Sequence, residues 1–188
     1  MHHATRYGVR GRDRTQGLTE LELELSETTA PPLEMLEHYF GAHGWSFERQ
    51  GDEEITARVE GSWTTYQLRA LWREEERMLQ FIAMPDIKVP EGRRAAIHET
   101  LSLINEQLWI GHFEMWSADG TLLFRHASMV GARGDDNVGL SLDQAETLVE
   151  AAVDECERYY PVFQFVLWAG KTTREAMDAA LIDTVGEA

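Results

Sequence analysis

Between Trp45 and Ile87 the apolar residues recur at every second position, and this pattern most narrows the folds open to the chain. Ile55, Ala57 and Val59 alternate with Thr56, Arg58 and Glu60. Tyr66, Leu68, Ala70 and Trp72 then alternate with Gln67 and Arg69. A period of two sends successive side chains to opposite faces of a sheet, so these stretches are half-buried strands. Gly51-Asp52, Gly61-Ser62 and Glu74-Glu75-Glu76 punctuate them as the turns of an antiparallel meander. Met78 to Met84 departs from the alternation, being apolar on both faces. That predicts an inner strand covered by a helix on one side and by something else, such as a partner subunit, on the other.

Outside this region the period is helical. Pro31-Pro32 opens helix one, with Leu33, Leu36 and Phe40 on one face and Gly41 and Gly44 at its end. Arg93 to Leu108 places Ile97, Leu101, Ile104 and Leu108 on a single stripe, which makes helix two, closed by Gly111. A hairpin follows, with arms at His112 to Ser117 and Leu122 to Val130 and Asp119-Gly120 as its turn. Ser141 with Gln144 has the form of a capping box. Behind it Ala145, Val149, Ala152, Cys156, Tyr159 and Phe163 carry the stripe of helix three, which Pro161 is expected to kink or split. Thr172 with Glu175 repeats the capping pattern for a final helix to about Val185.

The order α-β-β-β-(β)-α-β-β-α-α makes this an α+β protein: an antiparallel twisted sheet packed with helices. Helices one and three are expected on one face and helix two between the two strand groups. Residues 1–30 hold few large apolar side chains and read as a flexible lead-in, leaving one domain over residues 31–188.

Seventeen Lys+Arg against 33 Asp+Glu give a formal charge of −16, which repels phosphate backbones and anionic lipid at long range. Neither nucleic acid nor membrane is an expected partner. The exception lies in the first 17 residues, where Arg6, Arg10, Arg12 and Arg14 face Asp13 alone. One cysteine and no long apolar run point to a cytoplasmic protein.

No residue set supports catalysis or a cofactor. His38 and His43 are five apart, where a helical metal pair wants three or four. His112 and His126 lie on adjacent hairpin arms and are placed to face each other, with no thiolate cluster nearby. Asp135, Asp136 and Asn137 lack the alternation and the twelfth-position Glu of a calcium loop. Cys156 sits on an apolar stripe, where burial raises a thiol's pKa, so it reads as core. The six tryptophans are more informative, being too many to share the centre of one small core. Trp72, Met78, Met84, Trp109, Trp116 and Trp168 are the residues expected to form a protein-binding surface.

At Phe81-Ile-Ala-Met-Pro-Asp-Ile87, Ile104-Asn-Glu-Gln-Leu-Trp-Ile-Gly-His-Phe113 and Glu157-Arg-Tyr-Tyr-Pro-Val-Phe163 the chain resembles the alphaproteobacterial branch of the YbjN-domain family. The likeness runs from about Pro31 to Gly186. That family is described as sensory-transduction regulators, with a fold like that of class I type III secretion chaperones. The resemblance implies a non-enzymatic domain without cofactor or metal, a homodimer that offers an apolar surface to an unidentified protein partner. The dimer is expected through helix two or the sheet's second face. The rival expectation is a regulator that contacts DNA or a transcription complex through the Arg-rich N-terminal tail.

Overall fold

A computed structural model describes residues 29–131 and 138–185, the side chains of 181–185 excepted. The first helix, α1 (Pro32–Ala42), turns Leu33, Met35, Leu36, Tyr39 and Phe40 inward. Four strands follow: β1 (Ser46–Gln50), β2 (Glu54–Glu60), β3 (Thr65–Arg73) and β4 (Met78–Met84). The Gly51 turn therefore separates two real strands, and four of them precede the second helix. After a single 3-10 turn at Glu91–Arg93 come α2 (Arg94–Asn105), β5 (His112–Met115), β6 (Leu122–Met129), α3 (Leu142–Leu167) and α4 (Thr173–Val185). Both capping boxes form: Ser141 accepts from the Gln144 amide and Thr172 from that of Glu175, each with the reciprocal bond.

All strands join one antiparallel sheet in the order β1-β2-β3-β4-β6-β5. There are not two strand groups with a helix between them, because β6 pairs directly with β4. Helix α2 joins the same helical layer as α1, α3 and α4, against β5 and α3. Its buried Thr100 hydroxyl meets that of Thr173 on α4 at 3.1 Å and donates to the Ala96 carbonyl.

Pro161 leaves α3 as one helix of 26 residues. Proline removes a ladder bond and costs about 3 kcal/mol in a helix interior. Beyond it Val162, Phe163, Val166 and Leu167 are all buried, and each such side chain is worth roughly 1.5–3 kcal/mol, so packing outweighs the defect.

The core lies between the helices and one face of the sheet. Ile55, Ala57, Val59, Tyr66, Leu68, Ala70, Trp72, Leu79, Phe81, Ala83, Phe113 and Phe124 supply the sheet's half. Ala30 exchanges two backbone hydrogen bonds with Leu140, which fixes the chain's approach to α1 beside the start of α3. The lead-in assigned to residues 1–30 otherwise lies outside the described residues.

Candidate protein-binding surface

Alternation along β4 sends Leu79, Phe81 and Ala83 to the helices and Met78, Gln80, Ile82 and Met84 to the other face. No helix of the described chain packs there. Ile82 and Leu123 are nonetheless buried, and both stand apart from the helix-covered core. What flanks Ile82 follows from the register. Arg69 of β3 and Arg125 of β6 lie directly opposite it on either side. Arg69 is fixed by Glu54 at 2.8 Å and Arg125 by Glu114 at 2.6 Å. Each guanidinium is thus anchored to an acid on the outer strand, and the register sets both arginines beside Ile82 on the same face. The row that crosses the five strands is Thr56, Arg69, Ile82, Arg125 and His112, and each arginine is answered by an acid two residues along the outer strand, Glu54 on β2 and Glu114 on β5.

Towards the end of the sheet where β4 begins, the same face carries two methionines side by side, with Arg73 of β3 opposite the first of them. Met78 pairs in register with Met129, and Leu71 lies on the adjoining strand. Met129 is 64% exposed. Towards the opposite end, a shallow trough of about 390 Å³ runs across β1 to β4, lined by Ser46, Glu48, Thr56, Arg58, Gln67 and Met84 among others.

The six residues singled out from the sequence do not share one surface. Trp72 pairs with Leu79 on the helix-covered side and is buried, so it presents nothing to a partner. Met78 and Met84 are half-buried on the open face, at opposite ends of β4. Trp116 is half-buried at the mouth of the β5–β6 turn, its amide bonded to the Thr121 carbonyl. Trp168 is exposed at the end of α3. Trp109, between α2 and β5, is 101% exposed. Two exposed residues were missing from that set. Met129 carries a signal in the alternation of β6, where it shares a face with Arg125 and Ala127. Trp63 has none, because it sits in the β2–β3 turn and stacks on Tyr160 of α3 at 6.1 Å between ring centres.

Trp109 is held on a rigid base. Asn105 bonds both the amide and the carbonyl of Phe113, at 2.8 and 3.0 Å. Gly111 has φ +66°, and a Cβ there would run into the Phe124 ring and the Arg125 carbonyl. The backbone on both sides of Trp109 is thus fixed, and the indole itself stands wholly in solvent.

Chemistry is sparse around these surfaces. His112 and His126 do not face each other, since His112 pairs with Arg125 and the next residue along β6 points to the other face. Burial first, and then the charge of His112, hold the His126 imidazole below its ordinary value. Burial, reinforced by Glu157 and Glu155, pushes the Cys156 thiol well up, which makes it a poor nucleophile. His43 places Nδ1 2.8 Å from the Tyr39 carbonyl and stacks on the Tyr39 ring. Among the described residues no three His, Cys, Asp or Glu side chains are grouped to hold a metal ion. Asp135 to Asn137 lie outside the described residues. None of the described helices is long and apolar enough to cross a membrane.

A six-stranded antiparallel sheet with helices over one face defines the class: an α+β domain. The chain belongs to the YbjN family, whose model matches residues 32–165 and is described as "putative bacterial sensory transduction regulator". Its functional class is accordingly regulatory. Among solved structures the chain is similar to YbjN from E. coli, described as "a putative transcription regulator", with 15% identity and a TM-score of 0.49. That likeness covers 69% of this chain and 90% of the other. No curated protein matches the sequence.

Proposed function

We propose that the domain is a non-enzymatic cytoplasmic regulator that acts by holding a polypeptide segment against the open face of its sheet. The observation that carries this reading is the Met78–Met129 pair, apolar and side by side in register, with Met129 64% exposed on a face that no described helix covers. Adaptable thioethers suit a surface that accepts an apolar segment. Trp109, three residues before β5 begins, supplies a fully exposed aromatic side chain, the type of residue that anchors binding contacts.

The test compares wild-type protein with Met78→Ser/Met129→Ser and with Trp109→Ser. Partners retained from a native lysate are identified by mass spectrometry and then rebound in purified form. A loss of at least tenfold in affinity for the same partner in the double variant supports the open face. Unchanged affinity in both variants sinks it.

A further inference from the structure

The two edges of the sheet are finished differently. At the β5 edge, the Asn105 carboxamide occupies the backbone amide and carbonyl of Phe113 at 2.8 and 3.0 Å, so part of the outward ladder is already taken. At the β1 edge the Trp45 amide, just before the strand, donates to the Phe40 carbonyl at 3.0 Å, while the strand itself pairs with β2 alone among the described residues. Edge strands left in this state present unpaired N–H and C=O groups as a template for another strand. Strand β1 has no proline and no lysine, and Ser46, Glu48 and Gln50 are exposed along its open-face side.

We propose that two copies of this chain join edge to edge through β1, antiparallel about Phe47, so that one sheet runs through both. The face rule restricts the possible registers: residues paired across the joint share a face, so odd positions meet odd and even meet even. A joint centred on Glu48 sets two carboxylates directly opposite, which is destabilising. A joint centred on Phe47 sets it against the partner's Phe47, Ser46 against the partner's Glu48, and Trp45 against the partner's Arg49. The first two are an aromatic pair and a hydroxyl donor on a carboxylate, each a favourable cross-strand contact, while Arg49 keeps its own partners Glu37 and Asp52 at 3.1 and 3.0 Å. The sequence of β1 is thus self-complementary in one register and self-repelling in the next. This joint leaves the open face free and does not depend on what that face binds.

Magnitude decides how firm the joint is. Five residues a side bury less than the roughly 1,200 Å² at which stable interfaces begin. Each copy also brings a net charge of −16. The dimer is therefore weak, forms with rising concentration, and strengthens when salt screens the mutual repulsion.

The experiment uses full-length Ser46→Cys and Glu48→Cys chains. Both positions are exposed, and the native Cys156 is buried and silent. Mixed and oxidised at tens of micromolar, the two variants are expected to give a covalent heterodimer several times faster than either alone. Light scattering of the wild type should show the dimer fraction rising with concentration and with salt. A Glu48→Cys chain that cross-links to itself fastest overturns the register. A wild-type mass that stays at 21.5 kDa up to millimolar concentration overturns the joint. So does hydrogen-exchange protection of the outward β1 amides that is independent of concentration, since that places another part of the same chain on the edge.

Discussion

The two faces of β4 carry equally apolar residues in very different settings. On one, Leu79, Phe81 and Ala83 are fully buried beneath α3, in a core continuous with α1, α2 and α4. On the other, Ile82 is 2% exposed with none of the described helices over it, and Met78 and Met84 at the strand's ends are only half-buried. Burial alone does not distinguish Phe81 from Ile82. The surroundings do, since one belongs to the helix-covered core and the other is flanked on both sides by long, jointed arginines. An apolar residue on a second sheet face can thus be hidden from water without a second layer of structure.

The largest effect is expected where the packing is rigid. Phe81→Ala should cost about 3–5 kcal/mol, because the cavity it leaves is walled by residues that cannot collapse into it. A urea titration followed by circular dichroism measures this as a drop in midpoint at constant slope. A loss below about 1 kcal/mol would show that the helical layer relaxes freely, and the contrast between the faces would disappear.

Ile82→Ala tests the other side of the comparison. Ile→Ala in a rigid core costs roughly 2–5 kcal/mol, and the low end is expected here because the stems of Arg69 and Arg125 can sink toward the vacated space. Glu54→Gln combined with Glu114→Gln loosens the anchors and should make Ile82→Ala cheaper still, a coupling that a double-mutant cycle reads directly. If Ile82→Ala costs as much as Phe81→Ala, the open face is as firmly built as the core.

Much of this was legible in the chain beforehand, and the exceptions share a cause. The period-two runs, the helical stripes, the Asp119-Gly120 turn and both capping boxes are local signals, and each predicted element stands where the pattern put it. The double apolarity of Met78 to Met84 was equally visible. Its meaning was not, because the residues that flank Ile82 are Arg69 and Arg125, 13 residues before it and 43 after, joined only by register. The same holds for Trp72 and Trp109. Both are tryptophans near an element's end, yet one pairs with Leu79 beneath the helices and the other stands wholly in solvent. Pro161 misled in the opposite sense, since a local rule for helix breaking gave way to the packing of the turns on either side. The pairing of β6 with β4, which merges the two strand groups into one sheet, is a topological fact with no local trace.

A smaller effect, confined to a range of pH, separates the faces through the two histidines. His126 points toward the helices and His112 toward the open face. Burial, and secondarily the charge of His112, depress the pKa of His126 in the folded state from its ordinary 6.5. The unfolded chain then binds the proton more tightly than the folded one. The stability gained by keeping the ring neutral is therefore complete above pH 6.5 and is lost as pH falls through the lower folded value. Unfolding midpoints at pH 7.5 and 5.5 should show this loss in the wild type and less of it in His126→Gln. An equal slope in both would remove His126 as its source.

The smallest stability change is expected from Met78→Ser/Met129→Ser, within about 0.5 kcal/mol per site, because these side chains rest on the open face with little structure to lose. Two outcomes of the same titration are informative. A near-zero change means the pair is not needed for folding, so any partner affinity lost in this variant measures contact itself rather than a damaged fold. A change above about 1 kcal/mol per site means that the pair supports the sheet from its open side, as Ile82 does. In that case the face is a second, thinner core, and the exposed Trp109 remains as the anchor for contact with another chain.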